Sequence, residues 1–171
     1  MRWCRRSPAV MRSCFQIHRG VLVLLAMTSA AAAGADLTTY TNQRYGYSIR
    51  YPASLLKPVE NTDDGAGKAF AAISGHAAFR VAARPLAGHT ATEVADEAQQ
   101  ICPGARPHYR VAKQGLAAIS CQTGDHILYQ KSLLRDGLEI RVRGEYPARE
   151  RQVWDGVVTS IARSTSTADR P

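Results

Sequence analysis

The chain has 171 residues, with 22 Lys and Arg against 14 Asp and Glu and a formal charge of +8. Five of those cations, Arg2, Arg5, Arg6, Arg12 and Arg19, lie in an N-terminal stretch with no acidic residue, so the chain without that stretch carries only about +3. So small a balance excludes a net-charge argument for nucleic-acid binding, and about 136 residues beyond the leader suit one domain with one core.

The leader has three parts in order: the basic region, the apolar run Gly20–Met27, and the small-residue stretch Thr28–Ala35. That order predicts a secretory signal peptide over residues 1–35. The apolar run falls short of the roughly 20 residues that span a bilayer, so no stable membrane insertion is expected. Ala33-Gly34-Ala35 fits small-x-small cleavage, with a cut after Ala35 or after Ala33, and Met11 is an alternative start to Met1. No cysteine lies directly after the apolar run, which argues against a lipid anchor. The expected location is periplasmic or secreted.

In chain order, Tyr45-Gly-Tyr-Ser-Ile-Arg-Tyr51 alternates: Tyr45, Tyr47, Ile49 and Tyr51 share one face, and Pro52 ends the strand. Tyrosines that share a face with Ile49 in a chain poor in aromatics are expected in the core rather than on a stacking platform. Asp63–Gly67 is a turn. Ala77–Arg84 alternates again, with Phe79 and Val81 opposed to Arg80 and Arg84. Thr90-Ala-Thr-Glu93 is a capping box opening a helix with the stripe Ala91, Val94, Ala95, Ala98 and Ile101, stopped by Pro103-Gly104. After a turn at Thr123-Gly-Asp125, Ile127–Leu134 and Leu138–Arg143 flank Asp136-Gly137 as a β-hairpin. In its second strand Leu138, Ile140 and Val142 oppose Glu139, Arg141 and Arg143. A second helix runs from Pro147 to about Arg163, with Val153, Trp154, Val157, Val158 and Ile161 on one side. The polar residues 164–171 read as a flexible tail, leaving one domain over 36–163.

Cys4 and Cys14 belong to the leader, so an oxidising compartment would see only Cys102 and Cys121. The expectation is one disulfide between them, against the alternative of two reduced thiols too far apart to meet.

The stretches Tyr40-Thr-Asn42, Arg44–Pro52, Asn61–Gly65 and Phe70, then Tyr109-Arg110, Ser120, Ile127–Lys131, Tyr146-Pro147 and Trp154–Ile161, resemble secreted bacterial proteins of the PsbP/Mog-like fold class. The resemblance implies an α+β fold, a central antiparallel sheet with helices packed on its faces as an α/β/α sandwich. It also implies a role in binding other proteins rather than in catalysis. No metal- or partner-binding residue of that class maps onto a position here.

Catalytic and cofactor motifs are absent. His76, His89, His108 and His126 lack zinc spacing, and no serine sits in G-x-S-x-G. Gly65-Ala-Gly-Lys68 lacks the other parts of a phosphate loop, and Asp63 and Asp64 lack the alternating oxygens of a calcium hand. Ser120, Asp125 and His126 are the residue types of a triad, but consecutive strand residues point to opposite faces, so Asp125 is not expected to orient His126 if both are extended. A thiol nucleophile from Cys102 or Cys121 would be removed by the disulfide. The more informative feature is basic: Arg80 and Arg84 on one strand and Arg141 and Arg143 on another are candidate partner-binding residues for an acidic protein or anionic polymer of the cell envelope. The alternative is that they lie apart, are covered by helices, or pair with Glu139 and Glu145. The resulting expectation is an exported, non-enzymatic binding or accessory protein without cofactor or metal. An envelope hydrolase with a dispersed site and an inhibitor or immunity-type protein are the other readings.

Overall fold

The structure is a computed structural model, and it describes residues 36–61 and 64–167. The expected signal peptide over residues 1–35, with its alternative starts and cleavage sites, lies outside those residues, as do Asp63 and residues 168–171.

Among the described residues, ten strands and two α-helices follow in the order β1 (Leu37–Asn42), β2 (Tyr47–Pro52), β3 (Leu56–Asn61), β4 (Gly67–Ala72), β5 (Ala78–Pro85), α1 (Ala91–Ala98), β6 (Tyr109–Lys113), β7 (Leu116–Thr123), β8 (His126–Arg135), β9 (Leu138–Pro147), α2 (Arg151–Ser164) and β10 (Ser166–Thr167). Seven strands form one sheet in the order β3-β4-β5-β9-β8-β7-β6, antiparallel throughout. A second, three-stranded sheet runs β1-β2-β10. The two helices take opposite faces of the large sheet: Val158 of α2 approaches Gly144 of β9, whereas α1 packs its Val94, Ala95 and Ala98 onto β7.

The α2 face holds the main core. Phe79 and Val81 of β5, Ile140 and Val142 of β9, and Trp154, Val158 and Ile161 of α2 are buried there. The tyrosine strand joins the same core, with Tyr47, Ile49 and Tyr51 buried and Tyr51 packed 4.7 Å from the Phe70 ring. It does so from the small sheet, which the sequence reading did not separate from the central one. Tyr45 is only half-buried, because Gly46 takes a φ of +65° and the strand starts at Tyr47.

Local chemistry sets the other boundaries. Thr90 and Glu93 form the expected capping box, the Thr90 N–H donating to Glu93 Oε2 at 2.7 Å. Asp136 and Gly137 both adopt positive φ, which places Arg135 opposite Leu138 in the expected hairpin. Pro147 ends β9 rather than opening the second helix, which begins at Arg151 after a 3-10 turn over Ala148–Glu150. Residues 164–167 of the expected tail are ordered in the fold: Ser164 closes α2, its Oγ accepting from the Arg50 N–H at 2.8 Å, and Ser166 and Thr167 pair with Ser48 and Tyr47.

Cys102 and Cys121 are joined in a disulfide, with Cα atoms 6.0 Å apart. It fastens the end of the α1 region to β7 inside a small cluster with Ala98, Ile119 and Leu128. Among the described residues no helix is long and apolar enough to cross a membrane.

Candidate functional site

On the α1 side of the large sheet, α1 packs chiefly on β6, β7 and β8, and it reaches β5 and β9 beside them through Glu97. The strand register decides which side chains meet on those two strands. Arg80 stands opposite Arg143, Ala82 opposite Arg141 and Arg84 opposite Glu139; on the next strand Gln130 faces Arg143 and Ser132 faces Arg141. These residues alternate with the apolar ones that face α2. The four arginines predicted from strand alternation therefore come together, and with Asp64, Ala66, Ala82, Ala83 and Gln130 they line a cavity of about 280 Å³.

Two of the four are internally neutralised. Glu139 has no exposure to solvent, and its carboxylate accepts from Arg84 Nε at 2.5 Å, from Arg141 Nε at 3.0 Å and from Ser132 Oγ at 2.6 Å. Glu97, reaching down from α1, accepts from both Arg84 and Arg141 Nη2. Two carboxylates and two guanidiniums thus share one network. Burial alone would raise the Glu139 carboxyl, but hydrogen bonds from Arg141 and Ser132 and the adjacent positive charge bring it below its ordinary value. Glu97 is also lowered, chiefly by the Arg84 hydrogen bond.

Arg80 and Arg143 differ. Both are exposed, they occupy directly opposed positions on adjacent strands, and neither has an ion-pair partner among the described residues. Like charges directly opposed across a ladder are destabilising. The pairing with Glu139 weighed in the sequence reading holds for Arg84 and Arg141, and Glu145 makes no ion pair with Arg143. Below these cations Gln130 is 2 % exposed, and among the described residues its Nε2 has only a long 3.5 Å contact to Ser132 Oγ.

One rim of the cavity is the segment Asp64–Gly67, and the small sheet holds it from behind. Tyr47 OH donates to the Ala66 carbonyl at 2.9 Å, Asn42 Nδ2 to the Gly65 carbonyl at 3.0 Å, and Arg44 to the Asp64 carbonyl. Burial pushes the Tyr47 phenol well up, so it stays a donor. Gly67 lies so close to β5 that a Cβ there would fall 1.9 Å from the Val81 carbonyl oxygen.

A second cleft of about 270 Å³ opens on the opposite face, lined by His108, Tyr109, Ser120, Tyr129, Tyr146, Arg151, Asp155 and Thr159 among others. Its carboxylate is already engaged: Asp155 accepts from Tyr146 OH at 2.7 Å and from Arg151 Nε at 2.9 Å. No hydrogen bond joins Ser120 Oγ to an imidazole among the described residues. His126 lies on the other face of β8, because Ser120 pairs with Tyr129, three residues further on. The expectation about Asp125 is corrected, since its Oδ1 lies 2.8 Å from His126 Nδ1. Asp125 belongs to the turn, not the strand, so strict alternation does not apply. The remaining histidines are separate: His76 bonds Glu150 at 3.1 Å and His89 contacts the Leu86 carbonyl at 2.8 Å. Among the described residues, no three metal-ligating side chains gather.

Sequence alternation identifies the arginines and offers Glu139 as a partner, but it misses Glu97 and Gln130 as their neighbours. The available signal was in β8, where Gln130 and Ser132 fall on the same face as Leu128 and so break an apolar stripe.

No protein-family model and no curated protein sequence matches the chain. Solved structures do. The solution structure of cyanobacterial PsbP from Synechocystis matches with a TM-score of 0.59 at 14% identity, over 78% of this chain and 94% of that one. The Saccharomyces cerevisiae Ran-binding protein Mog1p matches with a TM-score of 0.57 at 5% identity, over 79% and 97%. The chain has the PsbP/Mog1 fold. A third similar structure, from Bacteroides thetaiotaomicron, reaches a TM-score of 0.52 at 9% identity, over 77% of this chain and 48% of its own. At these identities the PsbP/Mog1 likeness fixes architecture, a large antiparallel sheet between helices, and leaves the arginine cavity to be read from this chain's own residues.

Proposed function

We propose that the protein is an exported, non-enzymatic binding or accessory protein of the cell envelope that receives an acidic partner on the arginine-lined face. The observation that carries this is the imbalance in the cavity: Arg84 and Arg141 are matched by Glu97 and Glu139, while Arg80 and Arg143 have no ion-pair partner among the described residues. Such a pair attracts anions and accelerates their encounter, with a strength that falls as salt rises. The N-terminal leader supports export, and the buried Cys102–Cys121 disulfide is compatible with an oxidising compartment. A binding role also agrees with the fold, since one protein that shares it is Ran-binding.

The test is crosslinking of the full-length protein, expressed in its own cells, with Arg80→Glu and Arg143→Glu introduced together. The expected result is loss of the partner captured by the wild type, with the fold retained, and weaker wild-type capture in vitro as salt is raised. Undiminished capture by the doubly reversed variant sinks the assignment of the surface. Accumulation of uncleaved precursor in the cytoplasm sinks the assignment to the envelope.

A further inference from the structure

The cavity carries more information than its sign. Its volume of about 280 Å³ lies at the lower limit for small-molecule sites, so it suits one charged group whose remainder stays outside. The Arg84–Glu97–Arg141–Glu139 network cancels internally and fixes one wall. What remains is two arginines at directly opposed positions on neighbouring strands, both lining the cavity. A carboxylate can bridge two guanidiniums, as Glu139 and Glu97 do, but it brings a single charge to the pair. A terminal phosphate has three free oxygens and a charge of about −1.5 to −2 near neutrality, enough to engage two forks. Gln130, directly opposite Arg143 on β8 and buried beneath it, adds a neutral amide donor whose protein contact is long. The rim carboxylate of Asp64 opposes an anion, but its Oδ1 faces back to accept from the Ala66 N–H at 2.9 Å.

We infer that this cavity is a site for a phosphate monoester, with Arg80 and Arg143 clasping the terminal group over the Gln130 amide. The inference rests on the reading of this face as the binding surface and specifies the chemical group it recognises. The monoester can be soluble or carried on a lipid headgroup, since the site would meet the same terminal phosphate in either case.

The test titrates the purified protein with glycerol phosphate, a monoester, and with dimethyl phosphate and acetate, both monoanions, following backbone and side-chain amide resonances. Glycerol phosphate is expected to shift Arg80, Arg143 and the Gln130 amide, to bind at least about tenfold more tightly than either monoanion, and to tighten as pH rises through about 6. Arg80→Gln and Arg143→Gln, both at exposed positions, each weaken it by about tenfold or more, Arg143→Lys retains only part of the affinity, and Lys113→Gln on the far edge strand leaves it unchanged. Vesicles with and without phosphatidic acid distinguish the lipid-borne monoester from the soluble one, and binding of either carrier fulfils the inference. Equal affinity for acetate or dimethyl phosphate, or wild-type affinity in both Gln variants, overturns it. Absence of any phosphate response overturns it too, while crosslinking of an acidic partner lost on charge reversal would leave the broader binding role standing.

Discussion

Arg141 Nε lies 3.0 Å from Glu139 Oε1, two residues earlier on the same strand, and the carboxylate is fully enclosed. A buried charge persists only when its partners stay in place, so this contact and those from Arg84 and Ser132 tie the cavity wall to the stability of the fold.

Glu139→Gln removes the anion and leaves Arg84 and Arg141 facing a neutral group that cannot satisfy both. The expected loss is about 3 kcal/mol, read as a lower urea midpoint with an unchanged transition slope. A loss below about 1 kcal/mol would mean the network is not held as described.

Acid stability follows from the same groups. Glu139 and Glu97 both have folded pKa values depressed below the ordinary 4.5. Unfolded carboxylates therefore take up protons first as pH falls, so stability present above about 4.5 is lost as pH falls through the folded values. Urea midpoints measured between neutral pH and about pH 3 should show this decline in the wild type and a flatter acid limb in Glu139→Gln.

The disulfide closes a loop spanning 19 positions between Cys102 and Cys121. Replacing both cysteines by serine should cost about 3 kcal/mol, largely by relaxing the unfolded chain. Thermal unfolding of the variant and of the wild type under reductant should agree; a variant as stable as the oxidised protein contradicts the expectation.

Gly67→Ala tests the close approach of β4 to β5 at the cavity rim. A Cβ 1.9 Å from the Val81 carbonyl and 2.7 Å from the Ala82 Cα meets backbone, which cannot rotate away. The expected cost is about 3 kcal/mol, with amide shifts concentrated at Ala66, Val81 and Ala82.

Tyr47→Phe keeps the ring in the core and deletes only the hydroxyl that donates to the Ala66 carbonyl at 2.9 Å. About 1 kcal/mol should be lost, with faster hydrogen exchange in the Asp64–Gly67 segment.

The strands legible in the sequence are β2, β5 and β9, which alternate, and β8, which flanks the Asp136-Gly137 turn; the capping box marks the start of α1 to the residue, while its last expected turn, Gln99–Ile101, is 3-10 rather than α. β1, β3, β4, β6 and β7 were not recognised. β4 reads Gly-Lys-Ala-Phe-Ala-Ala, in which small residues blur the contrast between faces, and β3 carries Pro58 beside a register shift. Alternation also brought out Arg80, Arg84, Arg141 and Arg143 as a set, because two strands of a hairpin-rich sheet have few ways to be neighbours. What it could not supply was the division among them. Which guanidiniums find carboxylates depends on α1 laying Glu97 across the sheet and on Glu139 sitting beneath that helix, and both are consequences of tertiary packing.

β1 and β10 flank β2 on either side, and both run antiparallel to it. The first and last strands of the described residues thus put Leu37 beside Pro52 and Thr167 beside Tyr47, at opposite tips of a single strand whose Tyr47, Ile49 and Tyr51 pack into the core on the α2 side of the large sheet. A tether or affinity handle attached at either tip would hold the molecule by its back, with the guanidinium face turned outward toward whatever approaches.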